Sequence, residues 1–125
     1  MRALTLLLTL ALPMAAHAEL VEIKWTGDAF AHKASIAPMK FLEVCGKLKA
    51  GDRTTWQFKG SGPSDFNIHY HVGKDVSYPE QRKDVAGADG TLAVPLDQDY
   101  CWMWSNRSAQ PIDIEISLKQ AGTGK

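Results

Sequence analysis

Asp65-Phe66-Asn67-Ile68-His69-Tyr70-His71-Val72 alternates strictly, with Phe66, Ile68, Tyr70 and Val72 on one side and Asn67, His69 and His71 on the other. A period of two marks a strand with one face packed and one face wet. The apolar members are aromatic or β-branched, the side chains that fit a pleated, half-buried surface. Gly60-Ser61-Gly62-Pro63 before this stretch reads as a break, and Gly73-Lys74 after it as a hairpin tip leading into Asp75 to Tyr78.

Working outward, the same alternation recurs. Leu20 to Trp25 places Val21, Ile23 and Trp25 together, and Arg53 to Lys59 does so with Thr54, Trp56 and Phe58. Leu92, Val94 and Leu96 alternate, Tyr100 to Ser105 forms a further strand, and Ile112, Ile114, Ile116 and Leu118 alternate with polar residues. Phe41 to Cys45 is a short apolar strand ended by Gly46. Residues 26–40 hold Gly27 and Pro38, show no clean period and read as a long connection with at most one turn of helix. Pro79 to Gly90 is polar and reads as a surface loop with a brief strand near Val85. Seven to eight short strands between Gly- and Pro-bearing turns predict an all-β fold, an antiparallel β-sandwich or jelly roll, as one domain over residues 19–125.

The 125-residue chain carries 14 Lys+Arg against 14 Asp+Glu. That balance argues against a nucleic-acid binder, whose affinity rests on neutralising phosphates. Residues 1–18 have the three parts of a secretory signal: Met1-Arg2, an apolar run from Ala3 to Leu12, and Ala16-His17-Ala18, with cleavage expected after Ala18. The apolar run is too short to stay as a membrane span, and no second one follows. The remaining chain is expected to be periplasmic or secreted, without a transmembrane segment.

From about Gly51 to Lys119 the sequence resembles the GOLD (Golgi dynamics) domain, a β-sandwich of secretory cargo receptors and some lipid-transfer proteins. The resemblance rests on Gly51 with Thr55-Trp56-Gln57-Phe58, on Asp65-Phe66-Asn67-Ile68, and above all on Tyr100-Cys101-Trp102-Met103-Trp104-Ser105-Asn106-Arg107-Ser108. Tyr100, Trp104, Asn106 and Ser108 occupy the positions of the family's Tyr-led strand that ends in an aromatic, a spacer and Asn. It implies core packing by Tyr100 and Trp104, backbone bonding by Asn106, and work as an interaction module for proteins or membranes rather than catalysis. Here Met103 fills the place where the cargo-receptor branch has its bridging cysteine, so that branch's disulfide does not transfer.

Two cysteines in an exported chain make an even count in an oxidising setting, which predicts a Cys45–Cys101 bridge. Two free buried thiols, or Cys101 as a soft metal ligand, are the alternatives. His69 and His71 point the same way on a strand, their Cα atoms about 6.6–6.8 Å apart, so both imidazoles could hold copper or zinc. A third ligand would come from Met103, Glu80, His32, Asp65 or an unbridged Cys101. The competing reading makes the pair part of a polar-aromatic binding surface with Lys74, Tyr78 and Arg82. No nucleophile elbow, phosphate loop or HExxH pair is present. The sequence therefore predicts an exported, non-catalytic binding module of the cell envelope, without a required cofactor, whose partner is an envelope protein or a small ligand. The alternative is a periplasmic copper- or zinc-binding protein using His69 and His71.

Overall fold

The computed structural model describes residues 19–121, so the signal segment 1–18 and the tail 122–125 lie outside the described residues. Seven strands follow in chain order: β1 (Glu19–Glu22), β2 (Ala29–Ile36), β3 (Phe41–Leu48), β4 (Arg53–Val72), β5 (Asp75–Ala93), β6 (Gln98–Ser105) and β7 (Ile112–Gln120). No helix occurs among the described residues. The strands form a continuous curled sheet in the order β1-β3-β6-β4-β7-β2, with β5 paired to β4. It is mixed rather than purely antiparallel, because β1 runs parallel to β3.

The long strand β4 turns this sheet into two layers. Its first half, Thr54 to Gly60, pairs with β7, whereas Asp65 to His69 pair with β6. The change of partner falls at Gly60-Ser61-Gly62-Pro63, where five steps along β4, Lys59 to Ser64, match two along β5, Gly87 to Val85. Such a bulge bends a strand and re-aims it. The residues expected to end a strand instead carry one strand from layer to layer. A Cβ on Gly60 would lie 2.8 Å from the carbonyl oxygen of Gly62, so this bend requires glycine.

Three further expectations are corrected. The connection over 26–40 contains strand β2, which pairs with β7 over its whole length. The loop over 79–90 belongs to β5, which pairs with β4 alone and so forms an edge; edges are kept polar, and its sequence shows little apolar alternation for that reason. The alternation of Leu92, Val94 and Leu96 outlasts the strand, which ends at Ala93.

Between the layers lies the core. Tyr100, Trp102 and Trp104 are fully buried from one face of β6. Trp56, Phe58, Phe66 and Trp104 form an aromatic cluster with ring centroids 4.7–6.3 Å apart. Trp56 lies so close over Gly90 that a Cβ there would sit 2.6 Å from its ring. The end of β6 is fastened by side chains. Tyr100 Oη donates to the Leu96 carbonyl at 2.8 Å. Buried Asn106 donates to the carbonyls of Ile36, Ala37 and Gln110 and accepts from Ser108 N and Oγ. One amide thus satisfies chain crossings from both layers.

Candidate functional site

The outer face of the β3-β6-β4 layer collects most of the chemically distinctive side chains. Register sets Cys45, Cys101 and His69 in one row across three strands, and Glu43, Met103 and Asn67 in the next. Cys45 and Cys101 are joined by a disulfide, with Cα atoms 4.1 Å apart at a sequence separation of 56.

His69 lies beside that disulfide and is only 6% exposed, although the strand alternation turns it outward. Its Nδ1 meets Asn67 Oδ1 at 2.7 Å, and its Nε2 faces Glu43 Oε1 at 3.5 Å. The rings of His71 and Tyr78 lie 5.3 and 5.9 Å away. Burial pushes the His69 pKa below its ordinary value; Glu43 opposes that shift and His71 adds to it.

The other anticipated residues are distributed as follows. Met103 shares the face and is half-buried. Glu80 and Arg82 stand opposite Ile68 and Phe66, whose side chains point into the core. Cross-strand partners share a face, so both lie on the side away from His69 and His71. There they pair with each other at 2.9 Å, and the Arg82 guanidinium sits 5.5 Å over the Trp56 ring. His32 belongs to β2 in the other layer and stacks on Phe30 at 6.2 Å. Asp65 accepts from the Asp84 amide and pairs with Arg107. Glu43 and Asn67 were missed as partners of His69. Asn67 has the right spacing on the same strand, but nothing local in the sequence brings Glu43 across β6.

Beyond His69 the hairpin projects. Pairing with β6 ends at His69–Cys101, while β4 and β5 continue together to Val72 and Asp75. Gly73 turns the chain with φ of 59°. Val76, 38% exposed, shares the face of His71, Tyr78, 49% exposed, lies against His69 on that face, and Val72, 49% exposed, is on the opposite one. Val72 was expected to point inward, but no second layer covers that end. A concavity of about 710 Å³ lies elsewhere, on the outer face of the β2-β7-β4-β5 layer. Lys33 and Lys59 face it along with Asp89 and Glu115, so its rim favours no one sign of charge.

No protein-family model matches the chain, and no curated protein matches it in sequence. Solved structures do resemble it. The Aeromonas hydrophila PliG, a periplasmic inhibitor of g-type lysozyme, superposes with a TM-score of 0.63 at 16% identity, over 82% of this chain and 96% of that one. The Salmonella Typhimurium PliG gives 0.59 at 10% identity, over 83% and 99%. The pre-peptidase C-terminal domain of Bacillus anthracis collagenase gives 0.56 at 11% identity, over 82% and 97%. At such identities the likeness speaks to architecture: this chain has the β-sandwich fold that the lysozyme inhibitors and the collagenase domain share.

Proposed function

We propose that this chain is an exported, non-catalytic module that binds a protein of the cell envelope through the tip of the β4–β5 hairpin. The observation that carries the reading is exposed apolar surface on a two-stranded projection, with Val76 and Tyr78 on the face of His69 and His71 and Val72 on the opposite face. Clustered exposed apolar residues mark interaction sites far more often than scattered ones do. The tip also has the makings of an anchor, with the half-exposed Tyr78 ring set 5.9 Å from that of His69. The signal-like segment 1–18 supports export. The GOLD resemblance and the fold shared with periplasmic inhibitors support binding over catalysis. The partner class we favour is a wall-degrading lysozyme.

Inhibition of a g-type lysozyme by the wild-type protein, lost in Val76→Ser/Tyr78→Ser, is the expected result. Absence of inhibition removes lysozyme as the partner. Capture from envelope extracts then tests the wider reading: if the tip variant captures the same proteins as wild type, the tip is not the binding surface.

A second reading, copper or zinc held by His69 and His71, is favoured by the 5.3 Å between their rings. It requires one His69 nitrogen to turn to the ion from Asn67 or from Glu43. Titration calorimetry of the oxidised protein with either ion, repeated on His69→Ala/His71→Ala, decides; equal heats from both proteins end it.

A further inference from the structure

The outer face of the β3-β6-β4 layer holds a second potential set of ligands, which the disulfide keeps closed. We propose that reduction of Cys45–Cys101 opens a zinc site formed by the two cysteine thiolates, His69 Nε2 and the Glu43 carboxylate.

Geometry is the first support. A carboxylate oxygen of Glu43 and the sulfurs of Cys45 and Cys101 all lie within 4.8 Å of one another. His69 follows Cys101 in the same row on the neighbouring strand, and its Nε2 lies 3.5 Å from Glu43 Oε1. Three donor atoms from two paired strands thus converge, and His69 on the third strand stands at their edge, in reach of Glu43. The paired strands fix the backbone positions of all four residues, so that closure on an ion needs only side-chain movement of the sulfurs and the imidazole.

The orientation of His69 is the second support. Asn67 Oδ1, an acceptor, takes the Nδ1 proton at 2.7 Å. That leaves the Nε2 lone pair aimed at Glu43, itself an acceptor. Two acceptors facing each other at 3.5 Å are the arrangement that a cation between them would satisfy. A metal-bound imidazole fixed by a hydrogen bond at its other nitrogen has the same pattern.

The donor set selects the ion. Two thiolates, one imidazole and one carboxylate suit tetrahedral zinc, whereas magnesium and calcium require mostly oxygen. Met103, half-buried in the neighbouring row, would restrict water on one side.

Both cysteines are only partly buried, so a reductant can reach the bond. A dithiol supplies the reduction. Its thiolate attacks one sulfur, the Sγ–Sγ bond breaks, and two electrons and two protons pass to Cys45 and Cys101 while the dithiol closes to its own disulfide. Zinc then displaces the two thiol protons to solvent. Exchange with a disulfide oxidant, which takes the two electrons and is reduced to its dithiol, re-forms Cys45–Cys101 and expels the ion. Tyr78 of the hairpin tip lies 5.9 Å from His69, but it supplies no ligand, and the chemistry does not depend on the tip reading.

Cobalt(II), a spectroscopic stand-in for zinc, tests the proposal with reduced full-length protein under anaerobic conditions. One equivalent should produce thiolate-to-cobalt charge-transfer absorption and tetrahedral d–d bands, both displaced by zinc, while oxidised protein shows neither. His69→Ala and Glu43→Gln should each weaken binding at least about tenfold, and Asn67→Ala about tenfold through the orientation of His69. His71→Ala should leave affinity unchanged, which separates this site from one built on the His69–His71 pair. The disulfide-free Cys45→Ser/Cys101→Ser protein should lose the charge-transfer band. Binding without that band, unchanged affinity in His69→Ala, or equal binding by oxidised protein would overturn the proposal. So would a reduced chain that loses its sheet by circular dichroism and is not refolded by zinc.

Discussion

The β4–β5 hairpin is packed at its base and bare at its tip. Near the base Trp56, Phe58 and Phe66 are 2–3% exposed and in ring contact, while at the tip Val72, Val76 and Tyr78 are 38–49% exposed. Residue type does not explain the contrast, because both ends carry aromatic and β-branched side chains in alternation. What differs is cover. The base is flanked by β7 and then β6 and faces a second layer, whereas beyond His69 the two strands have only each other. Alternation assigns a side chain to a face of its strand, and topology decides whether anything lies over that face.

The sharpest way to break the contrast is to empty the base. Phe66→Ala removes a ring that touches Trp56, Phe58 and Trp104. It should cost about 3–5 kcal/mol in urea unfolding, since buried aromatic truncations lose transfer energy and leave a cavity. A loss below about 1 kcal/mol would mean that the cluster is not the core.

Next in size is the staple beside His69. With its cysteines at a sequence separation of 56, the bridge should contribute up to about 4 kcal/mol by restricting the unfolded chain. Cys45→Ser/Cys101→Ser measured against oxidised wild type gives the value. The sheet should survive in the variant, because β3 and β6 remain paired over eight residues.

The same contrast shows where the sequence is informative. The Cys45–Cys101 bridge was legible from an even cysteine count in an exported chain. The core packing of Tyr100 and backbone bonding of Asn106 were legible from the family resemblance, whereas the Tyr100 hydroxyl bond and the contacts of Ser108 were not anticipated. The inward face of β7 was legible too: Ile112, Ile114, Ile116 and Leu118 have both alternation and cover. Strand β2 was not, since its inward face mixes Phe30, His32, Ala34 and Ile36, which lowers the contrast between its two sides. The bend at 60–63 was misread as a stop because glycine and proline report local flexibility. They do not report that β7 lies ready on one side and β6 on the other. The His69 site was half legible. The row of His and Asn is on one strand, whereas Glu43 arrives by a pairing across β6 that no local pattern encodes.

A smaller effect separates His69 from exposed His71. Burial holds the His69 pKa below its ordinary 6.5, against the pull of Glu43, while neighbouring His71 adds to the lowering. Between the lowered value and 6.5 the unfolded chain therefore binds more protons at this residue than the folded one. Its contribution to stability is complete above pH 6.5 and declines as pH falls through the lowered value. His69→Gln, neutral throughout, should flatten the stability profile across that window relative to wild type. An unchanged slope would show that His69 titrates as if solvated.

The smallest expected change in stability is at the tip, and it tests the comparison from the other side. Val76→Ser/Tyr78→Ser removes apolar groups that are 38% and 49% exposed, so unfolding should shift by no more than about 1 kcal/mol per site. Partner binding should fall at least tenfold, because a half-exposed aromatic releases its remaining solvent only when a second surface closes over it. A variant that loses more than about 2 kcal/mol would show that the tip contributes to the fold, and lost binding would then follow from damage to the hairpin. A variant that keeps both stability and binding would leave the bare end without the role assigned to it. Stability kept with binding lost is the one combination in which the uncovered half of this hairpin is uncovered for a reason.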